Sequence, residues 1–81
     1  MEISNGIITG IVEEMGNRFL TVEYGQSEVI RLLVDERTVI LGNNCTEVAW
    51  EDLEEGTFID AKVSDTMTRS IPPQATAYLI R

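Results

Sequence analysis

Side chains that usually carry chemistry are scarce in this chain of 81 residues. Histidine is absent, which removes the ordinary general base near neutral pH and the commonest metal ligand. The single cysteine, Cys45, builds neither an internal disulfide nor a thiolate metal site, and no cation beside it in sequence lowers its pKa. Cys-His dyads and Ser-His-Asp triads are therefore excluded, and no glycine-rich phosphate loop occurs. Carboxylates are paired at Glu13-Glu14, Asp35-Glu36, Glu51-Asp52 and Glu54-Glu55. Such pairs can hold a hard cation or act as acid and base, but all of these flank expected turns, where acids keep a small domain soluble. The expectation is a protein that is not an enzyme and takes no metal and no cofactor.

Two groups of residues suit recognition instead. The first is the segment Met67-Thr68-Arg69-Ser70-Ile71-Pro72-Pro73-Gln74. It is too long for a hairpin turn, and its paired prolines favour an extended, stiff conformation. Arg69, Ser70, Pro72, Pro73 and Gln74 are its candidate binding residues. The second group is aromatic: Phe19, Tyr24 and Tyr78 could form a stacking platform for bases or sugars, and Phe19, Tyr24 and Arg31 with the same loop could hold a carbohydrate or a peptide. Each group has a plain structural alternative. Phe19, Tyr24 and Tyr78 can serve core or interface packing. The loop can be a lid, with Met67 and Ile71 tucked into the barrel end and Arg69 paired with a local acid such as Asp65.

Charge narrows the partners. Fourteen Asp and Glu against six Lys and Arg give a net −8 at pH 7, and the basic residues are scattered. Nucleic acid, bound by neutralising several phosphates, needs a basic stripe that this chain lacks. Neither a polybasic segment for anionic membranes nor an apolar run long enough for membrane insertion is present. The first six residues lack the basic region and apolar stretch of a secretory signal, so the chain as written is expected in the cytoplasm. With 43% apolar and 25% charged residues, residues 1–81 are expected to form one small globular domain.

The elements that must hold these residues read as strands. Ile7 to Val12 is rich in β-branched residues, with Gly10 marking a bulge or bend, and suggests one long, curved strand. Gly16-Asn17 supplies a turn. Phe19 to Tyr24 then sets Leu20, Val22 and Tyr24 on one face, and after Gly25-Gln26-Ser27 the run Glu28 to Val34 sets Ile30, Leu32 and Val34 together. Thr38 to Leu41 reads as a further short strand or as an extension of the third around a bulge. Thr46 to Glu55 is the only helix candidate, capped by Thr46 and ended by Gly56, with Trp50 plugging one barrel end. Phe58 to Ser64, with Ile59, Ala61 and Val63 inward, and Ala75 to Ile80 complete the set. The fold expected is all-β, a five-stranded barrel of the oligonucleotide/oligosaccharide-binding (OB) type with one short helix or helical turn between the third and fourth strands. The rival is a β-sandwich or a barrel of the SH3 type. On outward strand positions, Phe19, Val29, Leu33 and Phe58 are candidates for burial between two copies.

The stretch from Leu53-Glu54-Glu55-Gly56 to Ala77, marked by Met-Thr-Arg-Ser-Ile-Pro-Pro-Gln at 67–74, resembles a small uncharacterised β-barrel domain of Gram-positive, often clostridial, bacteria. The resemblance covers roughly residues 6 to 80. It implies an OB-like barrel, often in secreted or cell-surface proteins beside repeats similar to the N-terminal domain of copper amine oxidases. It implies no activity, no copper site and no catalytic residue in this chain. The function expected is a non-enzymatic interaction or structural module presenting the 67–74 loop to a protein partner or to a second copy of itself. The alternative is a carbohydrate- or peptide-binding barrel using the same loop with the face formed by the second and third strands.

Overall fold

One strand has to serve two neighbours for the barrel to close. The computed structural model describes residues 1–81, apart from the side chain of Asn43. Its strands are β1 (Glu2–Glu14), β2 (Asn17–Tyr24), β3 (Glu28–Val34), β4 (Val39–Ile40), β5 (Phe58–Val63) and β6 (Gln74–Ile80). The N-terminal half of β1 pairs antiparallel with β5, Ile3 opposite Ala61 and Ile7 opposite Phe58. Its C-terminal half pairs with β2, Ile11 opposite Leu20 and Val12 opposite Phe19. Register shifts between Ile3 and Gly6 and between Ile8 and Gly10 mark the two bulges that bend it. The bend at Gly10 matches its sequence. The strand starts earlier than its β-branched run suggests, and Ile3 is fully buried. Gly6 is the tighter crossing: a Cβ there would lie 2.6 Å from Val22 Cγ1, so the backbones approach this closely only without a side chain.

Closure is completed through β2–β3 and β5–β6, both antiparallel, and a parallel contact of β3 with β6 at Leu32 and Ala75. The result is a closed, five-stranded, all-β barrel of β1, β2, β3, β6 and β5. β4 is not part of the ring. It lies parallel to β6, Val39 opposite Leu79, on the edge that β3 leaves after Thr76. Asp35-Glu36-Arg37 forms the detour between them, and Thr38 Oγ1 donates to Ala77 O at 2.7 Å. The short strand thus continues the line of the third after an excursion.

The short helix or helical turn expected between the third and fourth strands of the ring is present as a turn: of the helix candidate Thr46 to Glu55 only Trp50–Asp52 coils, as a 3-10 turn. The backbone of residues 46–48 is already committed. Gly42 N donates to Thr46 O at 2.8 Å and Val48 N to Ile40 O at 2.9 Å, so this stretch runs extended beside β4 and only the residues after Ala49 are free to coil. Trp50 and Leu53 still pack on the core as a plug. The first hairpin also differs by one residue. Glu14 pairs with Asn17, so the turn is Met15-Gly16, with φ of 51° and 81°, the backbone that matches the twist of adjacent strands.

Inside the ring, Ile3, Ile8, Leu20, Val22, Ile30, Leu32, Val34, Ile59, Ala61, Val63, Ala75, Ala77 and Ile80 make one apolar core with no buried polar or charged residue among those described. The inward sets expected on the second, third and fifth strands are all present.

Two substitutions test this frame by thermal unfolding. Gly6→Ala should cost about 1–3 kcal/mol, because its methyl overpacks Val22. Met15→Asn should raise stability by up to about 1 kcal/mol, because asparagine tolerates the left-handed region better than methionine.

Candidate functional site

The period-two pattern of β2 and β3 sends Phe19, Thr21, Arg31 and Leu33 to the outer wall. Register then sets them in rows: Phe19 stands between Val12 and Leu33, and Leu33 faces Thr76 of β6. One row on, Thr21 stands beside Arg31, which faces Gln74. The Arg31 guanidinium lies over the Phe19 ring, 4.3 Å from its centroid, and 3.7 Å from a carboxylate oxygen of Glu14. Aromatic face and carboxylate together fix the position of this cation.

Above this wall runs the loop that joins β5 to β6. It is braced by its own hydroxyls. Thr68 N donates to Gln74 O at 2.9 Å, and Gln74 N donates to Thr68 Oγ1 at 3.0 Å. Thr68 Oγ1 and Ser70 Oγ share a hydrogen bond at 2.6 Å, and Ser70 Oγ donates to Pro72 O at 2.9 Å. The far end is anchored to the wall, where Arg31 N donates to Pro73 O at 2.9 Å. The Ile71–Pro72 peptide is cis. Between loop and wall lies a groove of about 290 Å3, lined by Asn17, Phe19, Leu33, Met67, Thr68 and Gln74 among others.

Phe19, Arg31, Pro73 and Gln74 are therefore brought together as the sequence suggested. Tyr24 is not. It points to the same side as Leu20 and Val22, packs against the core from the far end of β2, and pairs with Glu28. Burial first, and the Glu28 carboxylate second, raise its phenol above the ordinary value. Leu33, Thr68 and Asn17 belong to the site and were not among its candidates. Parity put Leu33 outside, but only the register shows it beside Phe19.

The lid arrangement is contradicted in its details. Ile71 is 99% exposed rather than tucked in, and Met67, at 36%, lines the groove instead of entering the core. Asp65 bonds the N-terminal ammonium of Met1 at 2.7 Å, which holds its carboxyl below the ordinary carboxylate value through that hydrogen bond and charge. Arg69 makes no ion pair and no side-chain hydrogen bond with any described residue. The acid expected to pair with it, Asp65, is taken by the Met1 ammonium, and no other Asp or Glu occurs from residue 66 to residue 81. The outward apolar residues are likewise divided. Phe19, Val29 and Leu33 stand on the β2–β3 wall, whereas Phe58 stands on β5, separated from it by β1.

Arg69→Ala should leave stability within about 0.5 kcal/mol of the parent. Thr68→Val should cost about 1 kcal/mol, because it removes the acceptor of Gln74 N and the partner of Ser70. Melting curves check both, and the contrast between them separates a displayed arginine from an internal brace.

No family model, no curated protein and no solved structure matches the chain, so its functional assignment rests on the geometry of this braced loop and groove.

Proposed function

We propose that the barrel is a non-enzymatic interaction module that presents the 67–74 loop to a protein partner. The observation that carries this is the full exposure of Ile71 beside an unpaired Arg69, on a loop tied down by Thr68 and Ser70. An isoleucine in water gains by burial in a partner, roughly 1.5–3 kcal/mol for a side chain of this size. A loop already braced loses less freedom on binding than a floppy one. The loop carries Arg69 and no acid, so it is an uncharged-to-basic patch on an acidic protein. It suits a partner surface with an apolar pocket and an acid at its rim. The strand order supports the OB assignment, in which the loops after the first and fourth strands of the ring border the ligand face. It also accords with the proposed kinship to the small β-barrel domain of Gram-positive bacteria, whose mark is this loop.

One observation favours a second use of the same place. The groove beneath the loop offers an aromatic ring and an amide in Phe19 and Gln74, with the Arg31 cation over the ring, which is the kind of set that holds a sugar or a short peptide.

The two uses separate by mutation. Arg69→Ala combined with Ile71→Ser should abolish capture on peptide arrays while leaving the melting temperature unchanged. Phe19→Ala should spare that capture and instead abolish any signal on glycan arrays. Peptide capture that survives the double substitution would refute the loop as the recognition element.

A further inference from the structure

The braces of the 67–74 loop converge on one peptide bond, Arg69–Ser70. Thr68 lies on its N-terminal side, Ser70 and Gln74 on its C-terminal side. The hydrogen bond between Thr68 Oγ1 and Ser70 Oγ, at 2.6 Å, spans it directly. Thr68 N donating to Gln74 O at 2.9 Å and Gln74 N donating to Thr68 Oγ1 at 3.0 Å close residues 68–74 into a ring around it. On the C-terminal side Ser70 Oγ donates to Pro72 O at 2.9 Å, Pro72 and Pro73 restrict the backbone, and Arg31 N fixes Pro73 O to the barrel at 2.9 Å. Outside the ring Ser64 N donates to Thr76 O at 2.9 Å, and β5 and β6 pair antiparallel. Residues 68 to 71 are nevertheless exposed. Arg69 has no ion pair and no side-chain hydrogen bond with any described residue. A free arginine is thus displayed on a stiff ring, next to a peptide bond whose two sides are held together by other means as well.

We infer that the partner of this loop is a trypsin-like serine protease and that the loop inhibits it, with Arg69 in the specificity pocket and the Arg69–Ser70 bond at the catalytic serine. This rests on the reading of the loop as a recognition element and names its partner class. The specificity pocket of such an enzyme takes arginine by the charge of an aspartate within it, and an unpaired Arg69 enters with no bond to break first. Ile71, 99% exposed, meets apolar surface on the leaving-group side, and a ring ordered before contact gives up little freedom on binding. A floppy loop with these residues would be cut and released. Here the cut is reversible. The enzyme's serine oxygen adds to the Arg69 carbonyl carbon, its proton passes through the enzyme's histidine to the Ser70 nitrogen, the C–N bond breaks and an ester forms. The new amine of Ser70 stays in place, because the bonds of Ser70 and Gln74 to Thr68 hold it to the acyl side. It attacks the ester carbon, the proton returns through the histidine to the serine oxygen, and the peptide bond is remade before water intervenes.

Hydrolysis of a chromogenic arginine amide by trypsin, with the full 81-residue chain as inhibitor, tests this. Competitive inhibition is expected, with an inhibition constant below about 1 μM and most of the chain still intact after hours with the enzyme. Arg69→Lys should keep the inhibition within about tenfold and Arg69→Ala should weaken it about a hundredfold or more, while Arg69→Phe should transfer it to chymotrypsin, all at an unchanged melting temperature. Thr68→Val, which leaves Arg69 in place, should speed cleavage at Arg69–Ser70 about tenfold or more and make the inhibition transient. No inhibition by the parent chain, inhibition that survives Arg69→Ala, or rapid cleavage of the parent at this bond would each overturn the proposal. Loss of peptide capture in the Arg69→Ala, Ile71→Ser chain beside an uninhibited trypsin would overturn it too, while leaving the loop as the recognition element for a different protein.

Discussion

Everything in this barrel depends on the double duty of β1. A flat strand of that length would pair with one neighbour on each edge and leave the sheet open. Bulges at Ser4-Asn5 and at Thr9 turn it so that its two halves address β5 and β2 in succession. The tightest point of that turn is Gly6, where Val22 occupies the space of a side chain. Asn5 sits in the left-handed region there, with φ of 53°, and its N–H donates to Asp60 Oδ1 at 2.9 Å. A carboxylate on β5 thus holds the bulge that lets β5 be reached. Once β1 is bent, β3 and β6 meet, and no long edge is left open to pairing along the ring.

Closure fixes where function can reside. The interior is filled by aliphatic side chains with no polar group among the described residues, so nothing inside can orient a ligand or move a proton. Whatever the protein recognises must be met on its outer walls and loops. There the same register that builds the core does a second service, because each inward residue on β2 and β3 sets its neighbour outward. Leu20 and Leu32 seal the core, and Phe19 and Leu33 beside them make the floor of the groove.

Strand content, inward faces and the closed all-β class were legible because alternation over β2, β3 and β5 is strict, and because Gly10 and Gly25 stand where a bend and a turn occur. A helical turn after Thr46 was legible, but its shortening to Trp50–Asp52 was not. Thr46 and Glu47 are good helix-starting residues, but they pair with Gly42 and Leu41 just after β4, a demand that helix preference cannot register. The site was legible in part. Phe19 and Arg31 meet because they are two residues apart on paired strands, whereas Tyr24 has the wrong parity for the outer wall. The exposure of Ile71 was hidden because an isoleucine near a barrel end ordinarily tucks in. What prevents it here is the hydrogen bonding of Thr68, Ser70 and Pro72, which shapes the loop from within and leaves Ile71 outside.

Charge distribution then gives different parts of the outer surface different characters. Four of the basic side chains are occupied by acids nearby: Arg18 with Glu13, Arg31 with Glu14, Arg37 with Asp35 and Lys62 with Glu2. Exposed pairs like these contribute little to stability, roughly 0–1 kcal/mol each, but they neutralise the walls on which they lie. The excess negative charge therefore collects where no base is interspersed, over 47–60, while the 67–74 loop carries Arg69 and no acid. Within a Debye length, about 8 Å at physiological salt, each surface acts on an approaching partner through its own local charge more than through the net charge of the protein. An acidic protein can in this way keep one loop outside the repulsion that its net charge sets against other acidic surfaces.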